Sequence, residues 1–343
     1  MRIFFTSYQA INLMRGGVTF KVQFLKKALE NRGVDIQLLD SWNMDFQLGK
    51  NDLVHMFNAN VGTYHMAKSL QNYGAKYVIN PIFYNRHPNW KIQSYLNAEN
   101  IARKFLKGIL SEFQMTKDIC NGAEKILPNT IAEGDILANG IGVNPQKIEV
   151  VHNGVEKRFA NADAKLFYEK YGLKNFVLSV THIGSSRKNV FPLIKALQKI
   201  DVPAVIIGNV HQNAEGKRCL AEISKSKNIK LIQWIKHDDP LLESAYAGCK
   251  CFALPAKYET PGRAALEAGL AGANVVITPF GGTKEYFKNF AKYPNPYSVN
   301  SIKNEIETAL NAPKNDDLKN YILDNFIWDK IAEKTVKMYE TIF

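Results

Sequence analysis

Cysteine is scarce in this chain: four residues, Cys120, Cys219, Cys249 and Cys251, among 343. Four could hold a metal, but no matching His/Cys cluster accompanies them at metal-ligand spacing. They read as inert core thiols in a reducing compartment. Cys249 and Cys251 alternate along an expected strand, so both should face the same side. No run of about 18 apolar residues exists, so no membrane-spanning helix is expected. The short apolar start, residues 2–6, reads as a buried first strand rather than a secretory leader. His-Glu-x-x-His, Gly-x-Ser-x-Gly, Asp-x-Asp and the three-glycine dinucleotide fingerprint are all missing, as are short repeats and low-complexity tracts. Acidic residues are outnumbered, 32 Asp and Glu against 44 Lys and Arg, for a net charge of +12. An excess of that size points to nucleic acid, an anionic membrane surface or an anionic small substrate. The basic residues are scattered, without zinc-finger spacing or an aromatic RNA-binding signature, which makes nucleic acid the weakest of the three.

What is present is an alternation of strand-like and helix-like runs, the pattern of parallel α/β sheets. In the first half the strand-like runs are 2–6, 36–39, 53–57, 77–82, 125–127 and 148–151. The pattern restarts after about residue 172 with 176–180, 204–207, 229–233, 251–254 and 274–278. At this length two domains are the default. The polar, Gly-containing stretch 153–164 reads as the linker between a first domain, 1–155, and a second, 165–325. A final helix-like segment within 326–343 could pack on either; its periodicity does not decide.

The densest signal is Glu259-Thr260-Pro261-Gly262-Arg263 followed by Glu267. Glu259 sits in a Pro/Gly turn after an apolar strand, and Glu267 lies inside the helix that starts near Gly262. A helix N-terminus offers N–H donors to an anion, and the two carboxylates can grasp hydroxyls. Three further loops repeat a strand–loop–helix design. Gly16-Gly17, in the segment Met14 to Val18, allows close backbone approach to a phosphate, but also suits a simple turn. Arg187-Lys188 follows the strand 176–180 and could neutralise a diphosphate, or be two solvated basic residues. Gly281-Gly282 follows the strand 274–278. In the first half, Asn80, Tyr84 and His87 stand around the loop after the fourth strand, where a polar ligand could bind; a plain surface loop is the other reading. The stretch 101–113 combines Arg103, Lys104 and Lys107 with Ile101, Phe105, Leu106, Ile109, Leu110 and Phe113. Read as a helix, it suits an anionic membrane surface or an ordinary amphipathic core helix, and the second reading is favoured.

In this order, these pieces resemble the family 4 glycosyltransferases, retaining enzymes of the GT-B fold, over essentially the whole chain. The strongest part is Ala253-Leu254-Pro255, then Glu259, then Glu267-Ala268, then Gly281-Gly282 and Glu285. Gly16-Gly17, His152-Asn153-Gly154-Val155, Arg187-Lys188-Asn189, Ile206-Ile207-Gly208 and Phe326-Ile327-Trp328 support it. The resemblance implies α/β architecture with two Rossmann-like domains and a cleft between them. It implies an acceptor domain first, a nucleotide-sugar donor domain second, and a last helix returning to the first. Glu259 would contact the transferred sugar and stabilise its developing positive charge. Glu267 would bind the ribose, and Lys188 the diphosphate. Pro261, Gly262 and Arg263 would lie at the sugar and phosphates, Trp234 and Ile235 beside the base, and Gly16 and Gly17 along the cleft. His182 stands where the family usually has an arginine, with Arg187 or Arg263 available to compensate. The family's usual histidine after the fourth strand is missing, leaving Asn80, Tyr84 or His87 to contact the sugar.

The implied reaction moves a sugar from a nucleotide-diphosphate sugar, UDP or GDP type, to a hydroxyl on a glycan, a lipid-linked acceptor or a small molecule. No cofactor or metal is obligatory, no nucleic acid is involved, and the place is the cytoplasm or the inner face of a membrane. A nucleotide-sugar epimerase or phosphorylase on the same fold, or an inactive assembly subunit, are the other readings.

Overall fold

The computed structural model describes residues 2–13 and 16–343; Met14 and Arg15, part of the first Gly-Gly segment, lie outside the described residues. The chain forms two compact units, Met1–Gly154 with Trp328–Phe343, and Val155–Ile327.

In the first unit five parallel strands, β1 (Arg2–Thr6), β2 (Asp35–Leu38), β3 (Leu53–Phe57), β4 (Tyr77–Asn80) and β5 (Lys125–Ile126), pair in the order β2-β1-β3-β4-β5. Side chains alternate across a strand. Phe4, Val54, Met56 and Ile79 fill the core on one face; Ile3, Phe5, Leu53, Phe57 and Val78 fill the other. Helices cover both faces, which is why these strands read as unbroken apolar runs. One covering helix is the last, Trp328–Glu340. Its Ile331, Ala332, Met338 and Tyr339 join Leu25 and Leu29 of the helix Gly17–Glu30 in one core. Gly154 lies against Trp328 so closely that a Cβ there would come within 2.5 Å of the indole ring. Contact with that ring accounts for the glycine of the Asn-Gly-Val motif.

The second unit is a six-stranded parallel sheet. Its strands are β6 (Phe176–Val180), β7 (Ala204–Ile207), β8 (Ile229–Ile232), β9 (Cys249–Leu254), β10 (Asn274–Ile277) and β11 (Ala291–Lys292), in the order β11-β10-β9-β6-β7-β8. From β6 the chain winds one way through β7 to β8, and the other way from β9 to β11. Such a reversal leaves a crevice beyond the carboxyl ends of the two central strands, here β6 and β9, where α/β sheets bind ligands.

Several local expectations are corrected. Residues 148–151 form no strand; Ile148 makes only an isolated bridge to Ile126. The linker holds a short helix, Lys157–Asn161. The expected helix over 101–113 does not exist. The helix Asn89–Ala102 stops, Gly108 turns the chain with φ +84°, and Ser111 caps a new helix, Glu112–Gly122, its Oγ accepting from Gln114 N at 3.2 Å. Cys249 and Cys251 face opposite cores, because a bulge opposite Phe176 and Val177 inserts a residue between them. All four thiols are buried, and burial pushes the Cys249 thiol up to about 12, so it is inert.

Candidate functional site

The loops after β6 and β9 carry the charged residues. Lys188 Nζ lies 2.6 Å from Glu259 Oε1, and an Arg187 guanidinium nitrogen lies 3.0 Å from the same oxygen. Arg187 also donates to the Tyr258 carbonyl at 3.2 Å, and Lys257 N donates back to the Arg187 carbonyl at 2.8 Å. The two loops are thus sewn together. Asn189 begins the next helix in the left-handed region, φ +57°, a conformation Asn tolerates better than most residues. Its amide donates to the Pro255 and Pro296 carbonyls at 3.0 and 2.7 Å, which fixes the backbone beside Lys188. Gly281 holds Glu259 from the other side. At φ +100°, its backbone approaches so closely that a Cβ would sit 2.1 Å from the Glu259 carbonyl oxygen. Burial alone would push the Glu259 carboxyl up; the Lys188 and Arg187 charges outweigh it and hold the group below its ordinary range. Burial pulls the Lys188 ammonium down, with Glu259 opposing.

Glu267 is buried one turn into the helix Arg263–Leu270, which Gly262 and the cis Thr260–Pro261 bond precede. Its Oε1 accepts from His237 Nε2 at 3.0 Å and Arg263 Nε at 3.1 Å; its Oε2 accepts from the Tyr246 hydroxyl at 2.8 Å. Burial raises this carboxyl, but the His237 bond, the Arg263 charge and the Tyr246 bond together bring it below its ordinary range. His237 turns its other ring nitrogen to Glu156, 3.3 Å away. Arg158 joins the network through ion pairs to Glu156 and Glu243. Sequence reasoning missed His237, Tyr246 and Glu156. His237 lies two residues after Ile235, already singled out. Tyr246 and Glu156 are brought in by long-range folding and carry no local signal.

His182 does not act as a cation here. Its ring stacks on Trp234, with centroids 5.5 Å apart and planes 5° from parallel. Burial, then the nearby Lys188, His211 and Arg187 charges, push its pKa below 6.5, so it is neutral at pH 7. Ile235 is buried, while Trp234 keeps 40% of its surface exposed. Three cations, Arg187, Lys188 and Arg263, therefore accompany the two carboxylates without help from His182.

The first unit has its own concavity, a cavity of about 660 Å³ beyond the carboxyl ends of β3 and β4. Asn58, Asn60, Tyr84, Tyr95, Glu112 and Phe113 are among its lining residues. Two wall residues have positive φ, Asn58 at 78° and Ile82 at 52°. For a β-branched residue that is a strained conformation, of a kind that clusters at ligand sites. Tyr84 lines this cavity. Asn80 and His87 do not. Asn80 is fully buried; its Oδ1 pairs with His55 Nε2 at 2.7 Å and its amide donates to the Leu127 carbonyl. It is a core residue because it ends a strand covered on both faces. His87 is exposed in the following loop, outside the lining. Gly16 and Gly17 open the helix Gly17–Glu30, and a Cβ on Gly17 would touch nothing. Among the described residues no group of three His, Cys, Asp or Glu side chains is arranged to hold a metal ion, and no helix is long and apolar enough to cross a membrane.

Two doubly wound parallel sheets, one in each unit, define the GT-B fold. Residues 163–323 match the family model described as "Glycosyl transferases group 1". An uncharacterized glycosyltransferase of Methanocaldococcus jannaschii is 24% identical over 219 residues, 57% of this chain and 54% of that protein. The matched part thus spans about half the length of that relative. Among solved structures, sucrose-phosphate synthase from Thermosynechococcus elongatus superposes with a TM-score of 0.76 at 14% identity, covering 100% of this chain and 99% of that one. Anabaena HepE in complex with UDP superposes with a TM-score of 0.71 at 16% identity, covering 99% and 100%. At such identities these structures establish the fold alone.

Proposed function

We propose that the chain transfers a sugar from a nucleotide-diphosphate sugar to a hydroxyl acceptor with retention of anomeric configuration. The observation that carries this reading is the double ion-pair cluster at the crevice of the second unit: Lys188 and Arg187 on Glu259, and Arg263 on Glu267. Glu259 is held by two cations. An incoming diphosphate would compete for Lys188 and Arg187, releasing Glu259 towards the sugar as the phosphates take its place. The carboxylate then faces the carbon on which positive charge develops, and the cations stabilise the departing diphosphate; both act most strongly in the transition state. Glu267 would accept from the ribose hydroxyls. Trp234, stacked on His182, offers an exposed ring face beside the base, and Ile235 backs it. Pro261, Gly262 and Arg263 would border the sugar and phosphates. His182, being neutral, contributes a ring face rather than a charge, and Arg187 and Arg263 take over the cationic role.

The first unit would take the acceptor. Its cavity combines aromatic faces, Tyr84 and Tyr95, with hydroxyl partners, Asn58, Asn60 and Glu112, a mixture suited to a sugar ring. Gly16 and Gly17 would let the donor approach the backbone at the helix start. No metal is required, because Lys188, Arg187 and Arg263 supply the charge. Work in the cytoplasm, on glycan or lipid-linked acceptors, fits this chemistry. HepE has been solved with UDP and with UDP-glucose, so UDP heads the list of bases to try.

A thermal-shift panel of nucleoside diphosphates, followed by a donor screen with the best one, tests the proposal. At a hundredfold excess over Kd a specific nucleotide adds about 2.7 kcal/mol of stability. No shift with any nucleoside diphosphate would overturn it.

A further inference from the structure

We propose that residues 101–107 dock the first unit on an anionic lipid bilayer. Where a helix was expected, the chain forms a projecting turn between the helices Asn89–Ala102 and Glu112–Gly122. Ile101, Phe105 and Leu106 are 60%, 82% and 58% exposed, and Arg103, Lys104 and Lys107 are exposed between them. Large apolar side chains at such exposure lack the packing that would explain them as core. None of the three cations has an ion-pair partner among the described residues. The neighbouring acid on the helix before the turn cannot neutralise them: Glu99 is buried, with Oε1 accepting from Ser111 N at 2.9 Å and Oε2 from the Ser111 hydroxyl. Those two bonds join the start of the turn to its end. The projection is therefore held at its base while its tip offers two apolar side chains among three positive charges. That combination matches a bilayer rich in acidic headgroups, where the cations meet phosphates and Phe105 and Leu106 enter the acyl boundary.

The turn also adjoins the cavity of the first unit. Tyr95 precedes it, Ser111 and Phe113 follow it, and all three line that cavity. Docking through the turn would bring the cavity rim to the headgroup layer, the position needed to reach an acceptor anchored in lipid. The docking itself does not depend on the transferase reading and can be measured without donor or acceptor.

The test is co-sedimentation of the full chain with two kinds of vesicle, phosphatidylcholine alone and phosphatidylcholine mixed equally with phosphatidylglycerol. Binding should be at least about tenfold tighter to the anionic vesicles and should weaken with salt. Each cation removed near such a surface weakens binding about fivefold, so K104A/K107A together should lose about 25-fold. Phe105→Ser with Leu106→Ser should also weaken binding and leave a remainder more sensitive to salt. All replaced side chains are exposed, so melting temperature and nucleotide-induced thermal shift should match the parent chain. Equal binding to both vesicles, binding to neither, or variants that bind like the parent would each overturn the proposal. So would a dimer dispersed by the Phe105 and Leu106 changes in a chain indifferent to vesicles, because the patch would then serve self-association.

Discussion

Replacing Glu267 by glutamine separates a ribose-binding role from a structural one. An ionised carboxylate offers about four lone-pair sites. Three are occupied, two on Oε1 by His237 and Arg263 and one on Oε2 by Tyr246. One site remains, on Oε2, and on the proposed function a ribose hydroxyl would take it. Glutamine can keep its oxygen towards His237 and Arg263 and turn its amide towards the Tyr246 hydroxyl, which can rotate to accept. The fold then survives, but two charge-assisted bonds become neutral ones, at a cost of about 2–3 kcal/mol in total. The open acceptor site is lost, and with it a charged hydrogen bond to nucleotide of about 1.5–3 kcal/mol, so affinity should fall about 10- to 100-fold. Urea unfolding gives the first quantity and calorimetric titration with UDP and GDP the second, corrected for the folded fraction. Tyr246→Phe is the companion. It deletes one internal donor and frees a second acceptor site on Oε2, so it should cost about 1 kcal/mol of stability without weakening nucleotide binding. A folded Glu267→Gln variant whose affinity stays within about twofold of the parent would refute the reasoning. So would equal weakening by both substitutions.

Glu259→Ala should lower turnover about 100-fold while changing the apparent KM for donor little, since its contact counts in the transition state; steady-state kinetics with the identified donor decides. Lys188→Met should lower affinity for a nucleoside diphosphate about tenfold while sparing the nucleoside, because one charged contact to phosphate disappears; paired titrations give the ratio. Gly281→Ala should destabilise the second unit by about 3 kcal/mol or more, since the new Cβ clashes with the Glu259 carbonyl; a lowered urea midpoint would register it. His55 is buried between the Tyr339 hydroxyl and Asn80, and burial lowers its pKa from 6.5 to about 3. Between those values the unfolded chain binds a proton the folded chain refuses, so stability falls as pH drops through that window. By about pH 5 the loss is about 2 kcal/mol, and His55→Asn should flatten the pH dependence of the urea midpoint.

The sheets were legible because strands covered on both faces are apolar throughout. The runs 2–6, 53–57, 176–180 and 204–207 match β1, β3, β6 and β7 to the residue. β11 escaped because Ala291–Lys292 is too short to show a period. The segment 101–113 misled because its apolar spacing imitates a helix face, while Gly108 and the Ser111 cap, both visible in the sequence, dictate a break. The bulge beside Cys249 is a property of strand pairing and leaves no trace in one strand's sequence. At the site, Glu259, Lys188, Arg187, Arg263 and Glu267 carry local signals in turns and helix starts, and the fold brings them into ion pairs. What holds Glu267 comes from elsewhere, Tyr246 one helix away and His237 in a loop, and only tertiary packing assembles those partners. Asn80 shows the converse: a polar residue at a strand end reads as a ligand contact until the structure reveals the buried histidine it serves.

The place of Trp328–Phe343 in the first core sets an order for folding during synthesis. A nascent first unit can align its five strands as soon as they emerge, but the side of the sheet that receives Ile331, Met338 and Tyr339 is covered only in part, by Leu25 and Leu29, until those residues emerge too. By then all of Val155–Ile327, which precedes them in the chain, has emerged with every strand it needs. The second unit, later in sequence, is thus the first able to finish folding. The earlier one must wait with part of an apolar face open to water, and to chaperones.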